Sequence, residues 1–366
     1  CISTSFNERI KFIMAYTTIN KSADYFNTKL YTGNSSVRTL TGVGFQPDFV
    51  WIKDRTNARD HMLFDSPRTA TKDIHSNNDN TETTIADTLT AFTSDGFSLG
   101  ADSTAASALV NGNSNNYVSW NWKGGTTSGI SGGDITPSSY SFNTVSGFSV
   151  VKYTGNGSSG ATVAHGLGVA PKMVMVKGLG DTYGWKVWHT DLASGKTLNL
   201  NNGNAEATDS NYISAASSTT FTTTGTYSVN ENGNNYVAYC FAEKKGFSKI
   251  GSYTGNSNVN GPFIYCGFKP AFVLIKNISS SNHWLILDNK RSEFNKTDEG
   301  LFPNENSAEA ANSAGSAINI VSNGFKIRTT GNAAANYNNN NGDSYIFLAF
   351  AEAPLVGSNN VTATAK

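Results

Sequence analysis

The sequence predicts an all-β protein built from three tandem antiparallel β-sandwich units. Three observations lead there. Short apolar runs recur along the whole chain, separated by Gly, Asn, Ser and Thr, the residue types that punctuate strands. Helical periodicity is nearly absent, and only the Ala-rich stretch 304–317 suggests a helical turn or two. The tetrapeptide Tyr-Thr-Gly-Asn occurs three times, at residues 31–34, 153–156 and 253–256. An internal repeat, where there is one, decides the architecture.

The same landmarks follow each tetrapeptide in the same order. A proline opens an apolar run that ends in lysine: PDFVWIK at 47–53, PKMVMVK at 171–177 and PAFVLIK at 270–276, lying 16, 18 and 17 residues beyond the tyrosine. HMLFD (61–65), WKVWHTD (185–191) and HWLILD (283–288) come next. SDGFSLG (94–100) and SNGFKIR (322–328) follow, with only a weak counterpart at 221–227 in the middle copy. NNYVSWNW (115–122), NNYVAYCFA (234–242) and DSYIFLAFA (343–351) close the units. The chain then divides into a leader of foreign character (1–13), unit one (14–123), a Gly/Ser-rich flexible linker (124–139), unit two (140–245), unit three (246–354) and a polar tail (355–366). The shorter second join predicts that units two and three couple more tightly than one and two.

Each landmark has a physical reading. In the proline-led run, Phe49 and Trp51 share one face and Val50 and Ile52 the other. A strand apolar on both faces is covered on both, by a second sheet or by a neighbouring unit. Proline as its first residue is the position a sheet tolerates. The closing lysines, Lys53, Lys177 and Lys276, read as the return of the strand to water. In the last strand Tyr117, Ser119 and Asn121 oppose Val118, Trp120 and Trp122. Trp120 and Trp122 read as core, with a surface platform for stacking sugars as the functional alternative. Thr-Gly-Asn reads as a strand-end turn in which Gly155 and Asn156 accept positive φ, with a ligand loop as the alternative. Among sandwich types, a jelly roll of the concanavalin A-like kind fits best.

Composition narrows the function. Charged residues are 15% of the chain, and Lys+Arg and Asp+Glu balance at 27 each. That balance argues against a whole-chain affinity for nucleic acid or anionic membrane. No run of 18 apolar residues exists to span a membrane as a helix, and no secretory signal is readable. The cysteines Cys1, Cys240 and Cys266 suit neither a zinc site nor a thiol redox pair; Cys240 and Cys266 read as small buried hydrophobes.

No nucleophile elbow, P-loop, zinc helix or kinase signature is present, and the expectation is a protein that is not an enzyme, without catalytic residues, metal or cofactor. His61, His189 and His283 fall near Asp65, Asp191 and Asp288, but the spacing changes from copy to copy, which argues against a shared acid–base role. The loop DRTNARD at 54–60 offers Arg55 and Arg59 to a sulfated or carboxylated glycan. These arginines, with Trp120 and Trp122, are the candidate glycan-binding residues. The oxygen side chains of SNNDN at 76–80 are a conceivable structural calcium loop with no full ligand set.

Taken together, the tetrapeptide, GFQPDFVWIKDR (44–55), SDGFSLG, NNYVSWNWKGG and the third unit's GFKPAFVLIKN with HWLILD resemble an uncharacterised repeat domain of virion proteins from marine bacteriophages. The resemblance covers the chain from Met14 to about Pro354. It implies a concanavalin A-like sandwich and a tail, fibre or particle-decoration role on the virion. The implied partners are other virion proteins, further copies of this chain in a homo-oligomer such as a trimer, and host-surface glycans. A glycan-degrading enzyme of tail or secreted origin and a bacterial surface adhesin stand as the alternatives. HGLGVAPKMVMVK in the middle unit departs most from the pattern.

Overall fold

The computed structural model describes residues 16–103, 109–225, 227–292, 294–310, 315–329, 336–356 and 364. The leader expected at 1–13 lies outside them, as does most of the tail at 355–366. All sheet pairing is antiparallel apart from one isolated bridge between Ile135 and Val163. The described residues of the Ala-rich stretch hold no helix; the helical turns are the short 3-10 segments Ser22–Asp24 and Ser66–Arg68.

Three large sheets carry the fold. The first orders its strands Phe26–Thr32, Asn116–Trp122, Phe49–Asp54, Met62–Asp65, Lys72–His75 and Thr83–Thr84. The second runs Ser139–Asn143, Phe148–Thr154, Asn235–Phe241, Met173–Gly178 and Lys186–His189. The third runs Ser248–Thr254, Ser344–Pro354, Phe268–Asn277 and Leu285–Asp288. In each, the closing strand of the segment sits between the strand leading to the tetrapeptide and the proline-led run.

A three-stranded sheet accompanies each large one: Arg38–Leu40, Gly96–Leu99 and Leu89–Thr93; Thr162–Ala164, Thr220–Thr223 and Ile213–Ala216; Phe263–Tyr265, Gly324–Ile327 and Ile318–Val321. Phe97, Phe221 and Phe325 pair with Leu40, Val163 and Ile264 and are fully buried. The middle segment therefore keeps the phenylalanine although the Asp-Gly before it is lost.

Strand parity divides the core as alternation requires. Val50, Ile52 and Tyr117 pack on the first small sheet with Phe97 and Leu99. Val174, Val176, Tyr236, Ala238 and Cys240 pack on the second with Phe221. The opposite faces, carrying Phe49, Trp51, Trp120, Trp122, Met173, Met175, Tyr239, Phe241, Phe272 and Phe350, enter one common core shared by all three large sheets. Both covers expected for the proline-led strands are thus used at once, the small sheet on one side and the neighbouring segments on the other. Cys240 and Cys266 are free and buried.

At the middle of the common core Trp122, Phe241 and Phe350 meet, with ring centroids 6.3, 6.0 and 5.7 Å apart around the triangle. They hold corresponding positions, opposite Phe49, Met173 and Phe272 in their sheets. Trp120 and Trp122 are 0% and 2% exposed. Neither is a surface platform for sugars; both indoles are walled in by the other segments.

The segments do not hang as beads on a linker. Residues 124–139 are strapped to the second segment: Thr126 and Phe142 exchange main-chain bonds of 3.0 Å, Ile135 N–H donates to Thr162 O at 2.9 Å, and Ile130 and Ile135 are buried. Gly/Ser content signals a flexible linker only when nothing apolar punctuates it, and these two isoleucines anchor the strap. The second and third segments bond to each other through Glu206 N–H to Ile278 O at 3.1 Å and Asn282 N–H to Gly203 O at 2.7 Å. The seam between the first and third segments, which no direct chain connection joins, has Ser76 Oγ donating to Pro303 O at 2.6 Å and Trp120 Nε1 donating to Asp288 at 3.1 Å.

Candidate functional site

The three tetrapeptides lie at one end of the large sheets, beside the lysines that close the proline-led strands. Tyr31, Tyr153 and Tyr253 stack on Tyr117, Tyr236 and Tyr345 at 5.1, 5.2 and 5.0 Å. Their hydroxyls donate to the carbonyls of Val110, Val229 and Asn338. An asparagine from the loop before the last strand then clasps the turn: the side-chain oxygens of Asn111, Asn230 and Asn339 accept from the main-chain N–H of Asn34, Asn156 and Asn256 at 3.1, 2.9 and 3.0 Å.

The glycine of the motif has a different use from the one expected. Gly33, Gly155 and Gly255 are not in the positive-φ region; a Cβ on them would run into the carbonyls of Gly112, Glu231 and Asn340. Positive φ appears two residues later, at Ser35, Gly157 and Ser257. The tetrapeptide is therefore a close backbone crossing held by an asparagine clasp. Gly155→Ala has to push the crossing loops away from each other, and we expect a loss of about 1–3 kcal/mol in urea unfolding; an unchanged midpoint would contradict the crossing.

The lysines Lys53, Lys177 and Lys276 do not return their strands to water, and all three are fully buried. Each ammonium donates at 2.6 Å to the carbonyl of the following residue, Asp54, Gly178 or Asn277. Lys53 reaches Asn306 O in the third segment at 3.3 Å, and Lys276 reaches Gly203 O in the second at 3.1 Å. Burial pushes Lys53 and Lys177 down to about 8 and Lys276 to about 7. The apolar run ends at a seam between segments rather than at the surface, and a single sequence carries no sign of that.

Next to each lysine, one indole or imidazole closes the same seam. Trp185 Nε1 donates to His75 O of the first segment at 2.8 Å, and Trp284 Nε1 to Asn199 O of the second at 2.9 Å. His61 holds the corresponding place against the Phe302 main chain of the third. Its Nδ1 accepts from Trp51 Nε1 at 2.9 Å, while Nε2 has no hydrogen bond of normal geometry. Burial drives the His61 pKa far below its usual value. The contacts run first to third, third to second and second to first, a closed ring.

The proposed glycan arginines are drawn into this architecture. Arg55 makes a two-pronged pair with Glu309 at 2.9 and 2.7 Å, tying the first segment to the third. Arg59 is half-buried with its Nε enclosed. The loop at 76–80 is equally engaged: Ser76 on Pro303, Asn77 and Asn78 on Asp60. Among the described residues no group of three His, Cys, Asp or Glu could hold a metal ion. His61 does not pair with Asp65, whose carboxylate holds Arg68 at 2.5 Å and accepts from Tyr239 of the second segment at 2.7 Å.

Two surface features were not legible in the sequence. A solvent-open groove of about 510 Å³ lies between the first segment and the strap, floored by Asp48 and lined by Ser66, Pro67, Pro137 and Tyr140. Asp48 accepts from Ser66 Oγ at 2.6 Å and from Gly124 N–H at 2.9 Å, so it serves to dock the strap. On the third segment's small sheet Phe263 and Tyr265 stand exposed.

A family model described as a domain of unknown function, DUF7483, matches residues 21–354. The chain belongs to this family. Its match runs from the first 3-10 turn to the end of the last strand, so the DUF7483 domain spans all three large sheets with their common core. No curated protein matches the chain, and no solved structure does.

The buried lysines give this DUF7483 domain a distinctive pH response. Between about pH 7 and the ordinary lysine value near 10.4, the unfolded chain binds more protons than the folded one, so stability rises with pH. Buried thiols at Cys240 and Cys266 and the raised tyrosines Tyr31, Tyr153 and Tyr253 act in the opposite sense above about pH 8.5 and 10. Urea midpoints measured under reducing conditions are therefore expected to rise from pH 7 to 8.5. The triple replacement of Lys53, Lys177 and Lys276 by Met is expected to flatten the rise; a wild-type midpoint that falls over this window would contradict the assignment.

Proposed function

We propose that the chain is a structural component of a bacteriophage particle, a tail, fibre or decoration protein, made of three copies of one concanavalin A-like jelly-roll sandwich closed about a threefold-like axis. The Trp122–Phe241–Phe350 triangle carries this reading. Corresponding residues from three segments touch one another, and the seam contacts close a ring. Such a body supplies from one polypeptide the threefold arrangement that a homotrimer would otherwise supply. Its binding capacity is then free for other virion proteins.

The residues of the body support a mechanical role. Its buried ion pairs brace the seams: Glu309 pairs with Arg55 across the first and third segments, while Asp65 and Asp288, paired with Arg68 and Arg291, accept from Tyr239 and Trp120 of neighbouring segments. The loops at the tetrapeptide end are short, clasped and rich in Asn, Ser and Asp, suited to display toward host-surface glycans while the core keeps the shape.

Quantitative mass spectrometry of purified particles tests the proposal. The expected result is this chain present at a fixed copy number per particle that matches the particle symmetry. A protein absent from particles and released as a soluble glycan-degrading enzyme would overturn it.

A further inference from the structure

We propose that the outer face of the third segment's small sheet binds an acidic polysaccharide, one bearing uronate carboxylates or sulfate esters. This rests on the host-glycan binding proposed above, names its ligand class, and adds a sheet face to the tetrapeptide-end loops as its site. The face is set by register. Phe263 lies opposite Lys326, which lies opposite Asn319; Tyr265 lies opposite Gly324, which lies opposite Val321. Ile264, Phe325 and Ile327 between them point into the core, so by alternation Phe263, Tyr265, Lys326 and Arg328 point away from it.

Phe263 and Tyr265 are 47% and 54% exposed. Aromatic rings two residues apart on a strand are roughly 6.7 Å apart and face the same way, which suits stacking on successive sugar rings. Opposite Tyr265, Gly324 is where the two strands come closest, because a Cβ there would run into the Ile264 carbonyl. In the other segments the same row is small and polar: Thr39 opposite Ser98, bonded to it at 2.9 Å, and Thr162 opposite Thr222. The fold therefore does not require rings there. Their exposure in one segment alone is unexplained by packing.

Charge selects the ligand. Lys326 and Arg328 share this face, and Lys245 stands 4.7 Å over the ring of Tyr16, whose hydroxyl meets that of Tyr265. None of these three cations forms an ion pair with an acid among the described residues. A neutral glycan would leave them unused, whereas carboxylates or sulfates along a polysaccharide pair with them while its sugar rings lie on the aromatics.

The test uses the full chain in biolayer interferometry on immobilised alginate, κ-carrageenan and dextran. The wild type is expected to bind at least one of the two acidic polymers and not dextran, with affinity falling as salt rises. The F263A/Y265A variant is expected to lose about tenfold or more in affinity. K326Q/R328Q is expected to weaken binding and flatten its salt dependence. Both variants should keep the wild-type melting temperature, because these side chains lie outside the core. The proposal is overturned if the wild type binds neither acidic polymer, binds dextran equally, or self-associates through this face, or if both variants bind like wild type. Particle association is measured independently, so a protein found on particles that binds no acidic polymer defeats this inference and leaves the virion reading intact.

Discussion

Replacing Trp122 by alanine is expected to destabilise the whole chain, not one third of it. The indole contacts Phe26 and Phe49 of its own segment, Phe148 and Phe241 of the second, and Phe272 and Phe350 of the third. Truncating a buried tryptophan costs about 3–5 kcal/mol through lost transfer energy and the cavity left behind. Here the cavity opens where three sheets meet, and none can close it without leaving the other two. Urea unfolding followed by circular dichroism and by the remaining tryptophans' fluorescence should show one earlier transition, coincident in both probes. A loss below about 1 kcal/mol would mean that the triangle does not hold the segments together.

The second large effect is expected at Asp288. This fully buried carboxylate receives Arg291 Nε at 2.6 Å and Trp120 Nε1 of the first segment at 3.1 Å, and caps the following turn through the N–H groups of Lys290 and Arg291 at 3.0 Å. Burial pushes its pKa up, but the Arg291 guanidinium and these hydrogen bonds outweigh burial and hold it below the usual range. Asp288→Ala removes one of the two carboxylates that pair with a fully buried guanidinium and takes the acceptor from Trp120, for which about 3–5 kcal/mol is expected. Arg291 still has Glu309 at 2.8 Å, so the loss should grow when Glu309 is also removed. Replacing Asp288 and Arg291 together by apolar residues should cost less than Asp288→Ala alone. Equal stability of Asp288→Ala and wild type would contradict the network.

Much of the local structure was legible in the sequence. Alternation placed Phe49 and Trp51 on one face and Val50 and Ile52 on the other, and the structure sends the first pair to the common core and the second to the small sheet. The both-face apolar strands also announced two covers. What alternation cannot announce is which segment provides the cover. Lys53, Lys177 and Lys276 looked like strand exits because a lysine after an apolar run usually is one. Carbonyls take the place of water instead, a neighbouring segment's for Lys53 and Lys276 and the Gly178 and Asp181 carbonyls of its own segment for Lys177. Trp120 and Trp122 read as core or as a sugar platform; they are core, and the space they fill lies between three segments. Arg55 looked available for a glycan because its partner, Glu309, is 254 residues away in the chain.

The exposed pair Phe263 and Tyr265 was hidden for a different reason. FIY reads as an ordinary short strand, and only the register against Lys326 and Gly324 tells which of its residues face out.

Differential scanning calorimetry of the intact chain tests most directly whether the three large sheets form one body. A shared core and a closed ring of seams predict a single endotherm with a calorimetric-to-van't Hoff enthalpy ratio of roughly 1. Three resolvable transitions, or a ratio near about 3, would show that each segment unfolds by itself and would contradict the account.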